Sequence, residues 1–192
     1  MNTRILKESS RGIERLSPED RLLTERKVFF TEEVTSESAV QLIQLLLCLE
    51  DDDPGKDISI YINSPGGEVT SGLAVYDTIT GLKCKVRTVC IGTAASMGAI
   101  LFLAGEEREI LPHAQVMIHD PLINGLNGAQ KALTLEKEVV KLMEMRKTLG
   151  TIISERTGHT LDEVFDKTKE DCYLSAEESV EFGIATKIIR HA

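Results

Sequence analysis

The stretch Ile58-Ser59-Ile60-Tyr61-Ile62-Asn63-Ser64-Pro65-Gly66-Gly67 decides the fold class, because it predicts a β-strand that ends in a sharp turn. Residues Ile58 to Asn63 are rich in β-branched side chains, and the Pro and two glycines that follow break the run. The pattern of residues Thr70 to Ile79 then predicts a helix. A strand, a tight turn and a helix in this order are typical of an α/β domain.

The rest of the chain repeats this order of elements. Further extended segments are predicted at Arg26 to Phe30, Val86 to Ile91, Gln115 to Ile118 and Cys172 to Leu174. Helices are predicted at Glu37 to Leu49 with Ser36 as N-cap, at Ser96 to Ala104 after a small-residue turn at Gly92 to Ala95, at Gln130 to Arg156, and from a capping box of Ser175 and Glu178 to Gly183. The segment Asp162 to Lys167 is left unassigned. Strands that alternate with helices predict parallel pairing within one domain.

Composition excludes several classes of protein. The chain has 192 residues, of which 42% are hydrophobic and 28% charged, as in an ordinary globular domain. Its 31 acidic and 22 basic residues give a net charge of −9, and no basic cluster offsets that charge. The chain has no Trp, and only three Tyr and five Phe residues could stack on bases. These features disfavour a nucleic-acid-binding protein.

The cysteines and the amino terminus predict a cytoplasmic protein. Cys48, Cys84, Cys90 and Cys172 form no CxxC pair, so neither a zinc site nor a disulfide framework is expected. The opening sequence MNTRILKESSRG has no apolar core and is unlike a secretory signal. The run from Thr88 to Gly105 lacks charges, but its glycines and polar residues favour a buried strand and helix over a membrane span.

Ser96 is a candidate nucleophile. In Ala94-Ala95-Ser96-Met97-Gly98 it stands between a predicted strand and a predicted helix, with small residues on both sides. A nucleophile in a sharp turn needs small neighbours because the substrate must approach closely, and a helix N-terminus offers free amides to an oxyanion. Close packing of a helix produces the same pattern, so a buried packing serine is the alternative.

The two glycines after the first quoted strand form a second candidate element of the site. Gly66 and Gly67 allow positive φ angles and let a backbone N–H point at a ligand. A tight turn without function is the alternative. Because this loop and the Ser96 turn both follow strands, they are expected at the carboxyl edge of a parallel sheet, where ligands bind.

His119 is the favoured base among four histidines. His159 and His191 lie in polar segments and are predicted to be solvated. His113 and His119 flank the strand Gln115 to Ile118, and six residues of strand span about 20 Å, so only one of them can reach the serine. His119 is at the carboxyl end of that strand, on the same edge as Ser96; a loop histidine bound to backbone is the alternative.

The orienting acid stays open on spacing alone. Asp120 adjoins His119 but is expected to point the other way if the strand continues, and Asp162, Asp166 and Asp171 are also possible. Asp171 has one local merit, because it precedes Cys172-Tyr173-Leu174, an apolar piece that could hold a carboxylate rigid and partly shielded.

Four ordered motifs resemble the proteolytic subunit of the ATP-dependent Clp protease, a serine peptidase, over about Arg26 to Ile189. They are Ile60-Tyr61-Ile62-Asn63-Ser64-Pro65-Gly66-Gly67, Ala94-Ala95-Ser96-Met97-Gly98-Ala99, Met117-Ile118-His119-Asp120-Pro121-Leu122 and Leu174-Ser175-Ala176-Glu177-Glu178. The resemblance implies Ser96 as nucleophile, His119 as base and Asp171 as the third member of a triad. It implies an oxyanion hole made by the backbone amides of Gly67 and Met97.

The same resemblance implies a fold and an assembly. The fold would be a crotonase-like (ClpP-type) α/β spiral of repeated ββα units, with residues 1–192 forming one peptidase domain. Residues 1–24 would be a mobile axial arm, and a handle helix at about 130–156 would protrude and join two stacked seven-subunit rings. An AAA+ unfoldase such as ClpX, ClpA or ClpC would deliver unfolded polypeptides and use the ATP, so no cofactor, nucleic acid or membrane is expected for this chain.

Substrate is expected to lie extended beside Glu68, Val69 and Thr70 by strand addition, which would make cleavage broad. Four departures from the family concern assembly. The arm lacks the usual aromatic pattern, Ala104 to Pro112 is about two residues shorter, Leu122 to Gln130 has an altered glycine-rich sequence, and Glu170 stands where the family usually carries arginine for ring docking. A crotonase-type acyl-CoA enzyme and a weakly active ring subunit that needs a paralogue remain as alternatives.

Overall fold

The computed structural model describes residues 4–9, 12–122 and 131–191. Its strands, in chain order, are β1 (Ile5–Ser9), β2 (Gly12–Leu16), β3 (Lys27–Phe30), β4 (Ile58–Ser64), β5 (Val86–Ala95), β6 (Glu107–Ile110), β7 (Gln115–Ile118), β8 (Cys172–Leu174) and β9 (Lys187–Ile188). Its helices are α1 (Pro18–Leu23), α2 (Ser36–Asp52), α3 (Val69–Gly81), α4 (Met97–Leu103), α5 (Ala132–Thr157), α6 (Leu161–Thr168) and α7 (Ala176–Glu181).

The central sheet of the described chain has the order β3-β4-β5-β6-β9, and β7 pairs with both β5 and β8. Every pairing in this sheet is parallel except that of β7 with β8, which is antiparallel. The expected α/β class with parallel pairing is therefore confirmed. The antiparallel strand β8 is an addition to that expectation, and it brings the segment after α6 back beside β7.

Strand β5 changes its pairing partner along its length. Residues Arg87 to Cys90 pair with β6, whereas Thr93 to Ala95 pair with β7. The predicted small-residue turn at Gly92 to Ala95 is therefore wrong, since these residues continue the strand. Their small size serves packing, because a Cβ on Gly92 would lie 2.5 Å from Asn63 Oδ1, the atom that accepts the Thr93 N–H at 2.9 Å.

Helix α4 forms the middle of the core, since all seven of its residues are buried. It packs against β5 and carries the apolar half of the run Thr88 to Gly105, which is thus a buried strand and helix as predicted. A Cβ on Gly98 would lie 2.9 Å from the Ser64 carbonyl oxygen, so α4 approaches the end of β4 closely. In the described ranges, no helix is long and apolar enough to cross a membrane.

Three local features go beyond the sequence-based expectations or differ from them. The described part of residues 1–24, predicted to be a mobile axial arm, forms the β1–β2 hairpin and α1. Strand β6 was missed, because two of its four residues are glutamates and one of them, Glu109, is buried between Arg87 and Lys187. Helix α2 is capped by Thr35 and not by Ser36, while the capping box of Ser175 and Glu178 is confirmed.

The expected handle is α5, which has 26 residues. Its predicted start at Gln130 and the altered glycine-rich stretch at 123–130 lie outside the described residues. Only Leu149, Gly150 and Ile153 of α5 are buried. Large apolar side chains on its first half are exposed, namely Leu133, Leu135, Val139, Val140 and Met143.

Candidate active site

The strained residue Ser96 joins β5 to α4. Its φ and ψ angles are 53° and −120°, a conformation that costs a non-glycine residue about 1–3 kcal/mol. The turn is fixed by the strands around it, because the Ser96 N–H donates to the Met117 carbonyl of β7 at 2.8 Å. The surrounding sheet therefore holds the serine at the carboxyl edge in a sharp turn between buried neighbours, and Ser96 itself is partly exposed.

The glycine loop after β4 lies directly against this turn. Gly66 has a φ of 93°, and a Cβ there would lie 2.6 Å from the Ala95 carbonyl oxygen. Gly67 has a φ of 145°, and its Cβ would collide with the carbonyl oxygen of Val34. Both positions thus require glycine for its backbone conformation and for close approach.

Two further residues hold the glycine loop in place. Val34 donates its N–H to the Gly66 carbonyl at 2.7 Å and accepts the Glu68 N–H at 2.8 Å. The buried Ser64 hydroxyl donates to the Glu32 carbonyl at 2.6 Å and accepts the Gly66 N–H at 3.2 Å. The loop is therefore anchored on both sides, and Gly67 is held next to Ser96.

His119 contacts the candidate nucleophile. Its Nε2 lies 2.9 Å from Ser96 Oγ, which is hydrogen-bond distance. The imidazole side chain is only 14% exposed. His119 follows β7 directly, and the parallel pairing of Ala95 with Met117 brings the ends of β5 and β7 together. His113, at the other end of β7, is exposed.

Asp171 lies on the other side of the imidazole. Its Oδ1 is 3.9 Å from His119 Nδ1, longer than a hydrogen bond, and its side chain is 63% exposed. The expectation that the segment after Asp171 shields the carboxylate is wrong for the single chain, since Tyr173 is exposed and only Leu174 of β8 is buried. The three side chains are thus adjacent, but the His–Asp contact is loose.

Asp120 points away from the imidazole, as its place after the strand predicted. Its carboxylate contacts Arg146 and Thr168 instead. Asp162 and Asp166 are exposed residues of α6, and Asp166 pairs with Lys169. Of the four carboxylates that spacing left open, Asp171 is the one that the structure brings to His119.

The candidate oxyanion donors border the same space as the side chains. Met97 is the first residue of α4, so its N–H has no acceptor within the helix. Gly67, Ser96, Met97, His119 and Asp171 all line one cavity of about 350 Å³. The rest of its wall is mostly apolar and includes Val69, Ile100, Leu149 and Ile153. This arrangement suits attack on a carbonyl by Ser96, with amides beside the developing oxyanion.

The family model described as Clp protease matches residues 10–192. This chain belongs to the Clp protease family. The match spans nearly the whole sequence, and together with the mostly parallel α/β sheet it confirms the resemblance seen in the four motifs. The chain is thus a Clp-type peptidase.

One expectation for this Clp protease is wrong in its geometry. Strand addition along Glu68, Val69 and Thr70 would need an extended segment with free edge groups. Val69 and Thr70 instead form the first turn of α3, and Glu68 already gives its N–H to Val34. The helix begins this early because Glu68, just past the glycine turn, has the extended backbone of an N-cap. Only Val69 contributes to the wall of the cavity.

Other nucleophilic and titratable groups lie apart from the cavity. Burial raises the pKa of the Cys90 thiol to about 12, so it is not a nucleophile at neutral pH. His159, expected to be a solvated residue, stacks on Phe182 with ring centroids 4.2 Å apart. His191 is exposed, and so is Glu170 in the single chain.

Sequence reasoning missed two residues that hold the backbone of the site in place without lining the cavity, namely Val34 and Arg146. Val34 carries no chemical signal, because its role depends on backbone atoms. Arg146 had a signal, since it occupies a helical stripe whose other members, Leu142, Leu149 and Ile153, are apolar and turned towards the core. A charge in such a stripe requires a partner, which here is Asp120.

Proposed function

We propose that this Clp-type peptidase is a serine endopeptidase subunit that hydrolyses unfolded polypeptides. The observation that carries the proposal is the 2.9 Å contact between Ser96 Oγ and His119 Nε2. It occurs at a strained strand-to-helix turn, within a cavity that Gly67 and Met97 help to line. A serine that served only for packing would need neither the strained backbone nor a largely shielded imidazole beside its hydroxyl.

In the proposed reaction, His119 takes the Ser96 proton while Ser96 Oγ attacks the carbonyl carbon of the peptide. The Gly67 and Met97 amides hold the oxyanion. The protonated His119 then gives its proton to the leaving amine, and a water molecule hydrolyses the acyl-enzyme by the reverse sequence. Asp171 orients the imidazole and stabilises its charged form.

The exposed surface of α5 supports an assembly of several copies. Its five exposed large apolar side chains would be costly in water if nothing covered them. We propose that they meet a second copy of the chain, with seven subunits to a ring and two rings stacked around a chamber. An AAA+ unfoldase of the ClpX, ClpA or ClpC kind would feed unfolded chains into it and hydrolyse the ATP. We place the assembly in the cytoplasm, since all four cysteines are free thiols.

A fluorophosphonate probe tests the reaction class, because it reacts with an activated serine. We expect the wild-type chain to be labelled once and the label to map to the peptide that contains Ser96. Ser96→Ala should not be labelled, whereas Ser36→Ala, a change at an exposed serine of α2, should be labelled like the wild type. Labelling of Ser96→Ala at the wild-type rate would exclude Ser96 as the nucleophile.

A second function is favoured by the loose His–Asp contact. With 3.9 Å between His119 Nδ1 and Asp171 Oδ1, the single chain resembles a subunit of low intrinsic activity. Such a subunit would need a paralogous ring or an unfoldase to tighten the triad. Peptidase activity that rises on addition of either partner, with the amount of labelled Ser96 unchanged, would support this role.

A further inference from the structure

The carboxylate of Asp120 is held by two side chains that play no part in the proposed reaction. Arg146 Nε donates to Asp120 Oδ2 at 2.6 Å. Thr168 Oγ1 donates to Asp120 Oδ1 at 2.7 Å. The Asp120 N–H also donates to the Thr168 carbonyl at 2.7 Å. These three residues, named here the Asp120 clamp, join the segment after β7 to α5 and to the end of α6.

The Asp120 clamp is built rigidly. The guanidinium carbon of Arg146 lies 3.7 Å from the centre of the Phe165 ring, which fixes the plane of the guanidinium. The side chains of Arg146 and Asp120 are 23% and 30% exposed, and Thr168 is buried. A charge-assisted hydrogen bond in such a partly shielded place is stronger than an ion pair on an open surface.

The residues of the Asp120 clamp lie close in sequence to two members of the triad. Asp120 follows His119 directly, and Thr168 is three residues before Asp171. On the other side of the triad, Ile118 pairs with Cys172 in the β7–β8 ladder. The two segments that carry His119 and Asp171 are therefore tied together once by the ladder and once by the clamp.

We propose that Asp120 is a positioning residue, which through Arg146 and Thr168 sets where His119 lies relative to Ser96 and Asp171. This inference rests on the proposed serine peptidase function, and it adds a route by which α5 acts on the base. Arg146 is on α5, the helix whose exposed half is proposed to meet another copy. A movement of α5 would be transmitted to the backbone beside His119 through the ion pair of Arg146 with Asp120.

Thr168 offers the sharpest test, because its side chain can be changed without altering charge. Thr168→Val removes the hydroxyl at nearly constant shape, while Thr168→Ser keeps it. We expect Thr168→Val to lower kcat on a small fluorogenic peptide about 10-fold, and Asp120→Asn to lower it by about 10-fold to 100-fold, because small misplacements of a catalytic group cost this much. KM should change by less than about threefold, since the clamp does not touch the substrate cavity.

Thr168→Ser should keep kcat near the wild-type value. Asp166→Asn is the matched control, since Asp166 is also paired with a cation but lies exposed on α6. Native mass spectrometry on each variant separates an effect on the base from an effect on assembly. If Asp120→Asn changes the assembly, the Thr168→Val and Thr168→Ser pair decides.

The acid side of the pH profile of kcat/KM separates positioning from charge. The charged groups around His119 are Asp171 before β8, Asp120 on its own segment and Arg146 behind Asp120, while Lys169 and Glu170 precede Asp171 in the chain. If charge alone acted, Asp120→Asn would move the midpoint of the acid limb to lower pH and Arg146→Gln would move it to higher pH. If each change instead loosens the His–Asp contact, the midpoint of the acid limb moves to lower pH in both variants, because the Asp171 carboxylate then stabilises the imidazolium less.

The outcomes separate this inference from the proposed function. A wild-type chain that neither hydrolyses peptide nor reacts with fluorophosphonate overturns the peptidase proposal, and the inference falls with it. A labelled, active wild type with Asp120→Asn and Thr168→Val at wild-type kcat overturns the inference alone. Equal losses of kcat in Thr168→Val and Thr168→Ser also overturn it. So do opposite shifts of the acid-limb midpoint in Asp120→Asn and Arg146→Gln.

Discussion

The two sides of the site differ in how firmly the chain holds them. The nucleophile side comprises Ser96, Met97 and the Gly66-Gly67 loop, and it is built on central strands and on α4, which is wholly buried. The acid side comprises Asp171 and the short strand β8, and its carboxylate is 63% exposed. His119 lies between them, at 2.9 Å from Ser96 but 3.9 Å from Asp171.

This difference separates what one chain can set by itself from what it leaves adjustable. Core packing fixes the nucleophile and its amides, since moving them would disrupt the sheet and α4. The acid is held by three residues of antiparallel ladder and by the Asp120 clamp. In the proposed assembly, a neighbouring copy would displace this clamp through α5. We therefore expect changes on the nucleophile side to act alike in every assembly state, and changes on the acid side to depend on assembly.

The largest effect is expected for Ser96→Ala. Removing the nucleophile should lower kcat by about 10⁶, as in other triads, and should leave assembly intact. The measurement is hydrolysis of a fluorogenic peptide by a preparation free of other peptidases, with mass checked in parallel. Residual turnover within about tenfold of the wild type would rule out Ser96 as the nucleophile, since the remaining groups alone supply far less.

His119→Ala should be nearly as inactive as the serine variant, while His113→Ala should remain active because His113 is exposed at the far end of β7. In the wild type, kcat/KM should fall on acidification, because a protonated imidazole can no longer accept the serine proton. Retained activity in His119→Ala together with loss in His113→Ala would show that the other histidine is the base.

The two sides also differ in how well the sequence predicts them. Ser96 and Gly67 could be predicted from the sequence, because a strained turn requires small residues and glycine. His119 could be predicted because it follows a recognisable strand. Asp171 could be chosen only through family resemblance, since four carboxylates fit the spacing. The partner of Asp120 could not be predicted, because Arg146 and Thr168 meet it across 26 and 48 residues of sequence.

The fold shows the same division. Long elements such as α5 and β4 were predicted to within a few residues, because apolar residues recur at helical spacing along α5 and β4 is rich in β-branched residues. Strand β6 was missed because its buried charge, Glu109, is compensated by Arg87 and Lys187 from other strands. Tertiary partners of this kind leave no local pattern.

Asp171→Asn should cost less than loss of the nucleophile, about 10³ to 10⁴ in kcat, because the serine and its amides remain in place. The cost should appear in the fully assembled enzyme, where the His–Asp contact is expected to be closed. In preparations of single rings the wild type should already be slow, and the variant should differ from it by less. An equal cost in both states would show that the acid is as firmly held as the nucleophile.

Gly67→Ala tests the firmness of the nucleophile side. An added Cβ would collide with the Val34 carbonyl, so the loop must move and Gly67 N–H with it. We expect kcat to fall by about 10² to 10³, as for the loss of one oxyanion donor, in every assembly state. Gly81→Ala is the control, because its Cβ would meet nothing within 4 Å at the end of α3. Its activity should be unchanged, and a dependence of the Gly67→Ala loss on assembly would contradict the comparison.

The smallest effect is expected for Glu170→Arg. This variant tests whether the geometry of the acid side depends on contact with a neighbouring copy. Glu170 is exposed and adjoins Asp171. The family resemblance implies an arginine at this position that would pair with a carboxylate of the facing ring. A glutamate facing the same carboxylate repels it by several tenths to a few kcal/mol, depending on burial and salt. Ring pairing in the natural sequence should therefore be weak unless Lys167 or Lys169 supplies the opposite charge.

Native mass spectrometry distinguishes the states, because seven copies of a 21.2 kDa chain weigh about 148 kDa and fourteen weigh about 297 kDa. Glu170→Arg should shift the population towards the larger species and raise peptidase activity a few-fold, more so at low salt, where charge interactions are least screened. Glu177→Arg makes the same charge change at an exposed residue of α7 and should shift neither mass nor activity. A particle of about 297 kDa that persists on dilution and in salt, equally active with and without Glu170→Arg, would mean that docking is carried elsewhere along α5. The loose His–Asp contact would then need a cause other than weak ring pairing.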